Sequence, residues 1–242
     1  MPLSVMFFTT IDAVFWRENS MKDFKKAIML VKLSPRFKFQ VMFAVLFTAF
    51  GIIYDMTTKG TSTVGGFYLG IPSSVILQAF YGSNISGMVK SSPIHKKTET
   101  LYPYVFVIPY MIIIYLILVA IHFYMTLLDI NGGVKLNYAI QSKYIIIIGF
   151  EFFVVMIYEV FAYKYFVFSM IVFAGILIPT ILISMNVEML KIFDICGESY
   201  MRSSIIGLVL TIAGCVAAFF FSRLLYKKEM SPLAIKSFMR HQ

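Results

Sequence analysis

Two glutamates, Glu151 and Glu159, stand in a run from Tyr144 to Ala162 that is otherwise free of charge. A carboxyl group among apolar residues can accept hydrogen bonds, carry a proton or hold a cation, and a side chain facing hydrocarbon can do none of these cheaply. An ionised carboxylate near the centre of a bilayer costs on the order of 3 kcal/mol, so Glu151 must face protein or a wet cavity, or be protonated. Counting on by fours from Glu151 passes Val155 and reaches Glu159, which places both carboxyls broadly on one helical face. His122, Gln78 and Asn84, on neighbouring apolar runs, are the candidate partners. These five residues are either interhelical hydrogen-bonding groups or part of a passage for cargo, and the residues alone leave both open.

Other chemistry finds less material. His95, His122 and His241 are scattered, and no HExxH or CxxC spacing occurs, so no metal is assigned. Cys196 falls in a polar segment and Cys215 well inside an apolar run, roughly 18 Å deeper than its start at about 1.5 Å per residue, so no disulfide is expected. A phosphate-cradling loop needs the pattern GxxxxGK[ST], which is absent, so no nucleotide or other cofactor is assigned to this chain.

The elements that must position these residues are six apolar stretches: Phe39 to Tyr54, Val64 to Met88, Leu101 to Leu128, Tyr144 to Ala162, Tyr165 to Met185 and Ser203 to Leu225. A hydrocarbon core about 30 Å thick needs roughly 20 apolar helical residues, because each backbone group must bond within its own segment. Of 33 charged residues only Glu151, Glu159 and Arg223 fall inside the stretches, a segregation that a soluble core would not produce. The expected fold is all-α, a polytopic membrane protein with six transmembrane helices across 39–225, and loops too short for a soluble domain. With the amino terminus in the cytoplasm, sixteen of the 21 Lys and Arg lie on the inner side and five on the outer. Short loops obey the positive-inside rule, so both termini are expected in the cytoplasm of a cell-membrane protein. The excess of basic residues is then explained by anionic lipid, without nucleic acid.

Residues 1–20 lack the basic start and cleavage pattern of a signal peptide. Arg17-Glu18 admits codons that would form a ribosome-binding sequence before Met21, so this extension is read as one that need not be translated. Across 21–38, Phe24, Ala27, Ile28 and Val31 share one helical face and the lysines lie elsewhere, as in a helix lying in the inner interface. Small residues recur on the second span at Gly66, Gly70 and Ser74, and on the sixth at Gly207, Thr211, Gly214 and Ala218, faces suited to close helix packing. Pro72, Pro109 and Pro179 lie inside spans. Only Tyr163-Lys164 separate the fourth span from the fifth, and Lys164 is expected to extend its amine to the headgroups.

The segment joining spans two and three reads Val89-Lys90-Ser91-Ser92-Pro93-Ile94-His95-Lys96-Lys97-Thr98-Glu99-Thr100. Ser92-Pro93 is a helix-start signal, which predicts a short polar helix tied to two spans. An amphipathic helix, two spans, this Ser-Pro helix followed by Leu101-Tyr102-Pro103-Tyr104, four more spans, and a tail opening Ser222-Arg223-Leu224-Leu225-Tyr226-Lys227-Lys228-Glu229 follow in order. That order resembles the permease subunits of type 2 ABC exporters, from about Met21 to Pro232. The resemblance implies that the helix between spans two and three is a coupling helix docked on an ATPase subunit, a role that falls on Ser92, Pro93, Ile94, His95, Lys96, Lys97 and Glu99. It also implies a second permease chain, ATP and Mg on the partner ATPase, a basic cytoplasmic tail over 226–242, and export of an amphipathic peptide or lipid-like cargo by alternating access. An ion-coupled carrier or channel using Glu151 is the alternative, against which the lack of internal symmetry counts. An intramembrane hydrolase built on Ser73, Ser74 and His122 is a further one, against which the absence of a GxSxG run counts.

Overall fold

A computed structural model describes residues 24–32, 34, 37–84, 95–127, 134–186, 189–190, 199–233 and 235. Among them the regular structure is helical, without a strand. In chain order the helices are α1 (24–32), α2 (Phe37–Thr57), α3 (Val64–Asn84), α4 (His95–Thr100), α5 (Tyr102–Thr126), α6 (Val134–Lys164), α7 (Phe166–Met185) and α8 (Tyr200–Leu225). Six of these regions are long and apolar enough to cross a membrane, which is what a multi-pass membrane protein requires. The helices containing Pro72, Pro109 and Pro179 run on through them.

The organising element is α6, which packs against α3, α5, α7 and α8. Its closest partner is α8, and glycine explains the approach. A Cβ on Gly149 would lie 2.5 Å from the Cα of Gly207, and one on Gly214 would lie 2.6 Å from the Cα of Phe153, so backbone meets backbone along this seam. Thr211 and Ala218 are buried on the same face of α8, as the small-residue spacing predicts. Gly66 and Gly70 of α3 turn to Ile148, Phe152 and Val155 of α6. Around this contact Tyr104, Met111, Tyr115 and Leu118 of α5 complete a continuous apolar core.

By contrast α2 and α7 are mostly exposed, each resting chiefly on a single neighbour, α3 and α6 respectively. Gly51 of α2 reaches the carbonyl of Gly65 on α3. On α1 Ala27 is buried against Phe80 and Tyr102, Ile28 and Val31 are half-buried, and Phe24, though exposed, stacks on Phe106 with centroids 5.2 Å apart. Lys25, Lys26 and Lys32 of α1 are exposed.

Several boundaries lie beyond those expected from the sequence, and at two of them the extra residues are buried polar groups. The fourth span is expected from Tyr144, whereas α6 begins at Val134, because Asn137, Gln141 and Lys143 are buried within the protein instead of forming a loop. The first is expected to stop at Tyr54, whereas α2 continues to Thr57 and buries Asp55. It then stops through a left-handed cap: Gly60 N–H donates to the Asp55 carbonyl at 3.0 Å and Lys59 N–H to that of Met56 at 3.2 Å. Lys59 and Gly60 have φ of 54° and 59°, and a side chain on Gly60 would also strike the Gln141 amide, so glycine is required there.

Candidate functional site

The polar groups of the interior form three separate stations along α6. Glu151 and Glu159 are both buried and both face α3. The Thr63 hydroxyl, just ahead of α3, donates to Glu151 Oε1 at 2.5 Å, with Ser184 Oγ of α7 3.0 Å from the same hydroxyl. Further along, Ser73 and Ser74 of α3 reach Glu159 Oε1 at 2.5 and 2.6 Å. In each carboxyl one oxygen takes the hydroxyl contacts and the other, Oε2, has no hydrogen-bond partner among the described residues. Glu151 and Glu159 are about 12 Å apart along the helix at 1.5 Å per residue, with apolar side chains between them, so they do not act as a carboxylate pair.

The second station lies at the end of the bundle away from α4, where the α2–α3 loop folds against α6. His122 of α5 sits between Asp55 and Gln141. Its Nε2 lies 3.3 Å from Asp55 Oδ2, an ion pair when the ring carries both protons, and both side chains are fully buried. The Gln141 amide orients the ring, because its Nε2 donates to the Gly60 carbonyl at 3.0 Å and leaves its Oε1 to accept from His122 Nδ1 at 2.5 Å. Asn137 donates to the Met125 carbonyl at 2.5 Å and Tyr144 Oη to the Thr61 carbonyl at 2.8 Å. Side chains of α6 thus hold the loop by its backbone carbonyls, and His122 of α5 holds Asp55 at its start.

The third station lies at the α4 end. Glu99 of α4 is buried and forms an ion pair with Lys164, the last residue of α6. The same amine donates to the Lys228 carbonyl at 2.6 Å, and Ser231 N–H donates to the Tyr163 carbonyl at 2.8 Å, so the segment after α8 closes over the turn between α6 and α7. Lys228 places its own amine 3.6 Å from the centroid of Tyr165. On the other side of α4, Lys96 and Lys97 are exposed, and His95 and Lys96 lie against Tyr226, which follows α8.

Several expectations are corrected by this arrangement. Lys164 does not extend to a headgroup; it is buried, because α4 packs close enough to present Glu99. Neither His122 nor Gln78 partners Glu151. His122 belongs to the Asp55 station, and Gln78 is exposed on α3 while the carboxyls are met by Thr63, Ser73 and Ser74. Ser73 and Ser74 do not meet His122 either: they bind Glu159, whereas His122 binds Gln141, about 27 Å along α6. Glu99 faces inward and not toward a surface partner. The Asn84 side chain, and all of Ser92, Pro93 and Ile94, lie outside the described residues, as do residues 1–20 and Cys196. Among the described residues no group of three or more His, Cys, Asp or Glu is placed to hold a metal ion. Asp55, Thr63 and Gln141 escaped the sequence reading, since each acts on a residue at least 60 positions away or in a segment read as loop.

No family model, no curated protein and no solved structure matches this chain.

Proposed function

We propose that the chain is the transmembrane permease subunit of an ATP-driven exporter of the type 2 ABC class, carrying an amphipathic peptide or lipid-like cargo across the cell membrane. In this reading both termini and α4 are cytoplasmic, a second permease chain completes the pathway, and partner ATPase subunits bind ATP and Mg. The observation that carries the reading is the Glu99–Lys164 ion pair. It joins a short polar helix outside the apolar core to the end of the central helix α6, with the segment after α8 closed over both. A push on the exposed Lys96 and Lys97 side of α4 then reaches α6 through a buried ion pair, not through a slack loop. Glu99 transmits in this scheme, and His95, Lys96 and Lys97, with Ser92, Pro93 and Ile94, are the docking side.

Cargo would pass along the stripe that α3 presents between α2 and α7. Tyr68 of α3 meets Phe47 and Phe50 of α2, and Phe67 meets Phe173 of α7. Between those walls Ile71, Ser74 and Gln78 continue the stripe at helical spacing, apolar with polar points, which suits an amphipathic molecule. Glu159 lies directly behind Ser74.

Charge reversal at Lys96 and Lys97, or substitution of Pro93 and Ile94, tests the proposal in cells that also express an ATP-binding cassette subunit that co-purifies with the unaltered chain. Lost co-purification, or hydrolysis no longer stimulated by cargo, with normal membrane insertion is the expected result. Cargo movement by the purified chain alone would overturn it. A second reading, an ion-coupled carrier, draws on the unpartnered oxygens of Glu151 and Glu159; transport that follows an ion gradient and ignores ATP removal would favour it.

A further inference from the structure

At the α4 end of the bundle a cleft of about 240 Å³ opens between α1, α2 and α3. Its walls are almost wholly apolar and include Val31, Val41, Ala44, Ile76 and Phe80, with Lys32 at the rim. Walls that offer almost no hydrogen-bonding group hold water poorly and suit hydrocarbon, as the dry apolar cavities of proteins do. The Gln40 amide on its wall accepts from Ser34 Oγ at 3.2 Å.

Charge decides what fits. Lys25, Lys26, Lys32 and Lys38 are all exposed on α1 and the first turn of α2. Among the described residues before Asp55 there is no carboxylate to balance them. An amphipathic helix of this kind lies at the boundary between headgroups and acyl chains, with its lysines at the height of lipid phosphates. The cleft lies directly beneath that helix and is open on one side.

From this geometry we infer that the cleft is a binding site for one acyl chain of an anionic membrane phospholipid, whose phosphate is held by Lys32. The site fastens α1 to α2 and α3 through a lipid, and it does not rest on the transport reading.

The test uses the full chain in nanodiscs containing phosphatidylglycerol or phosphatidylcholine with a photoreactive diazirine on one acyl chain. Labelled peptides are mapped by mass spectrometry. The expected result is labelling of the α3 segment from Val75 to Phe80, about fivefold stronger from phosphatidylglycerol, the ratio that one lysine supplies when it faces a headgroup of net negative charge in place of a zwitterion. Lys32→Gln should bring the two lipids to equality. Ala44→Phe should remove the label from the cleft while leaving labelling of the exposed face of α7 unchanged. Val41→Trp makes the same test from an exposed position, where folding is not at stake. Equal labelling by the two lipids in the unaltered chain, a cleft label that survives both bulky substitutions, or cross-linking of the cleft to residues 1–20 in place of lipid would each overturn the inference.

Discussion

Removing the Glu99 carboxylate should loosen the turn between α6 and α7 far more than loss of a surface charge would. The side chains of Glu99 and Lys164 are 3% and 5% exposed. Breaking such a pair from one side strands a buried charge, at a cost of about 3–5 kcal/mol, whereas an exposed pair contributes about 1 kcal/mol or less. Lys164 keeps a second acceptor, the Lys228 carbonyl at 2.6 Å, so Glu99→Ala belongs at the lower end, about 3 kcal/mol. Lys164→Met leaves the carboxylate without its cation and belongs at the upper end, about 5 kcal/mol. With both changes together no charge is stranded, so the double variant should cost less than the worse single one. The assay is reversible unfolding of the full chain in mixed micelles, with the three variants closing a double-mutant cycle. Costs that add to within about 0.5 kcal/mol would refute the argument, because additivity is the mark of side chains that do not interact.

Three further expectations follow from the packing. Gly149→Ala forces a methyl against the Gly207 backbone and should cost about 1–3 kcal/mol in the same assay; Gly175→Ala, with nothing within 4 Å, should cost almost nothing. Gln141→Leu deprives both the His122 ring and the Gly60 carbonyl of a partner, so the loop 58–63 should lose protection from hydrogen exchange by an amount corresponding to about 1–3 kcal/mol; unchanged protection would argue against the tether. Glu159→Gln keeps an oxygen for Ser73 and Ser74 and should be tolerated in stability, while Glu159→Leu should cost about 1–3 kcal/mol. If the amide variant abolishes transport without loss of stability, the carboxyl serves passage and not packing.

The helical spans were legible because hydrocarbon imposes a simple rule on composition, and the small-residue faces were legible because glycine recurs at helical spacing. Glu151 and Glu159 were legible for the same reason in reverse: charge stands out where nothing else is charged. Their partners were not. Thr63, Ser73 and Ser74 look like ordinary helix and turn residues until α3 is laid against α6, and sequence carries no record of which helices touch. Asp55 was read as the first residue of a loop because a carboxylate usually marks the end of a span; only the fold brings His122 to it. Lys164 fails by the same logic, since a lysine in a tight turn ordinarily reaches water and here meets Glu99 from a segment 65 residues earlier.

Two rods whose main chains touch cannot slide past one another without first moving apart, and lipid offers nothing to fill the gap. The glycine seam between α6 and α8 therefore makes those two helices a keel. Of the other spans α2 and α7, which each lean chiefly on one neighbour, have the least packing inside the molecule to lose in a change of shape.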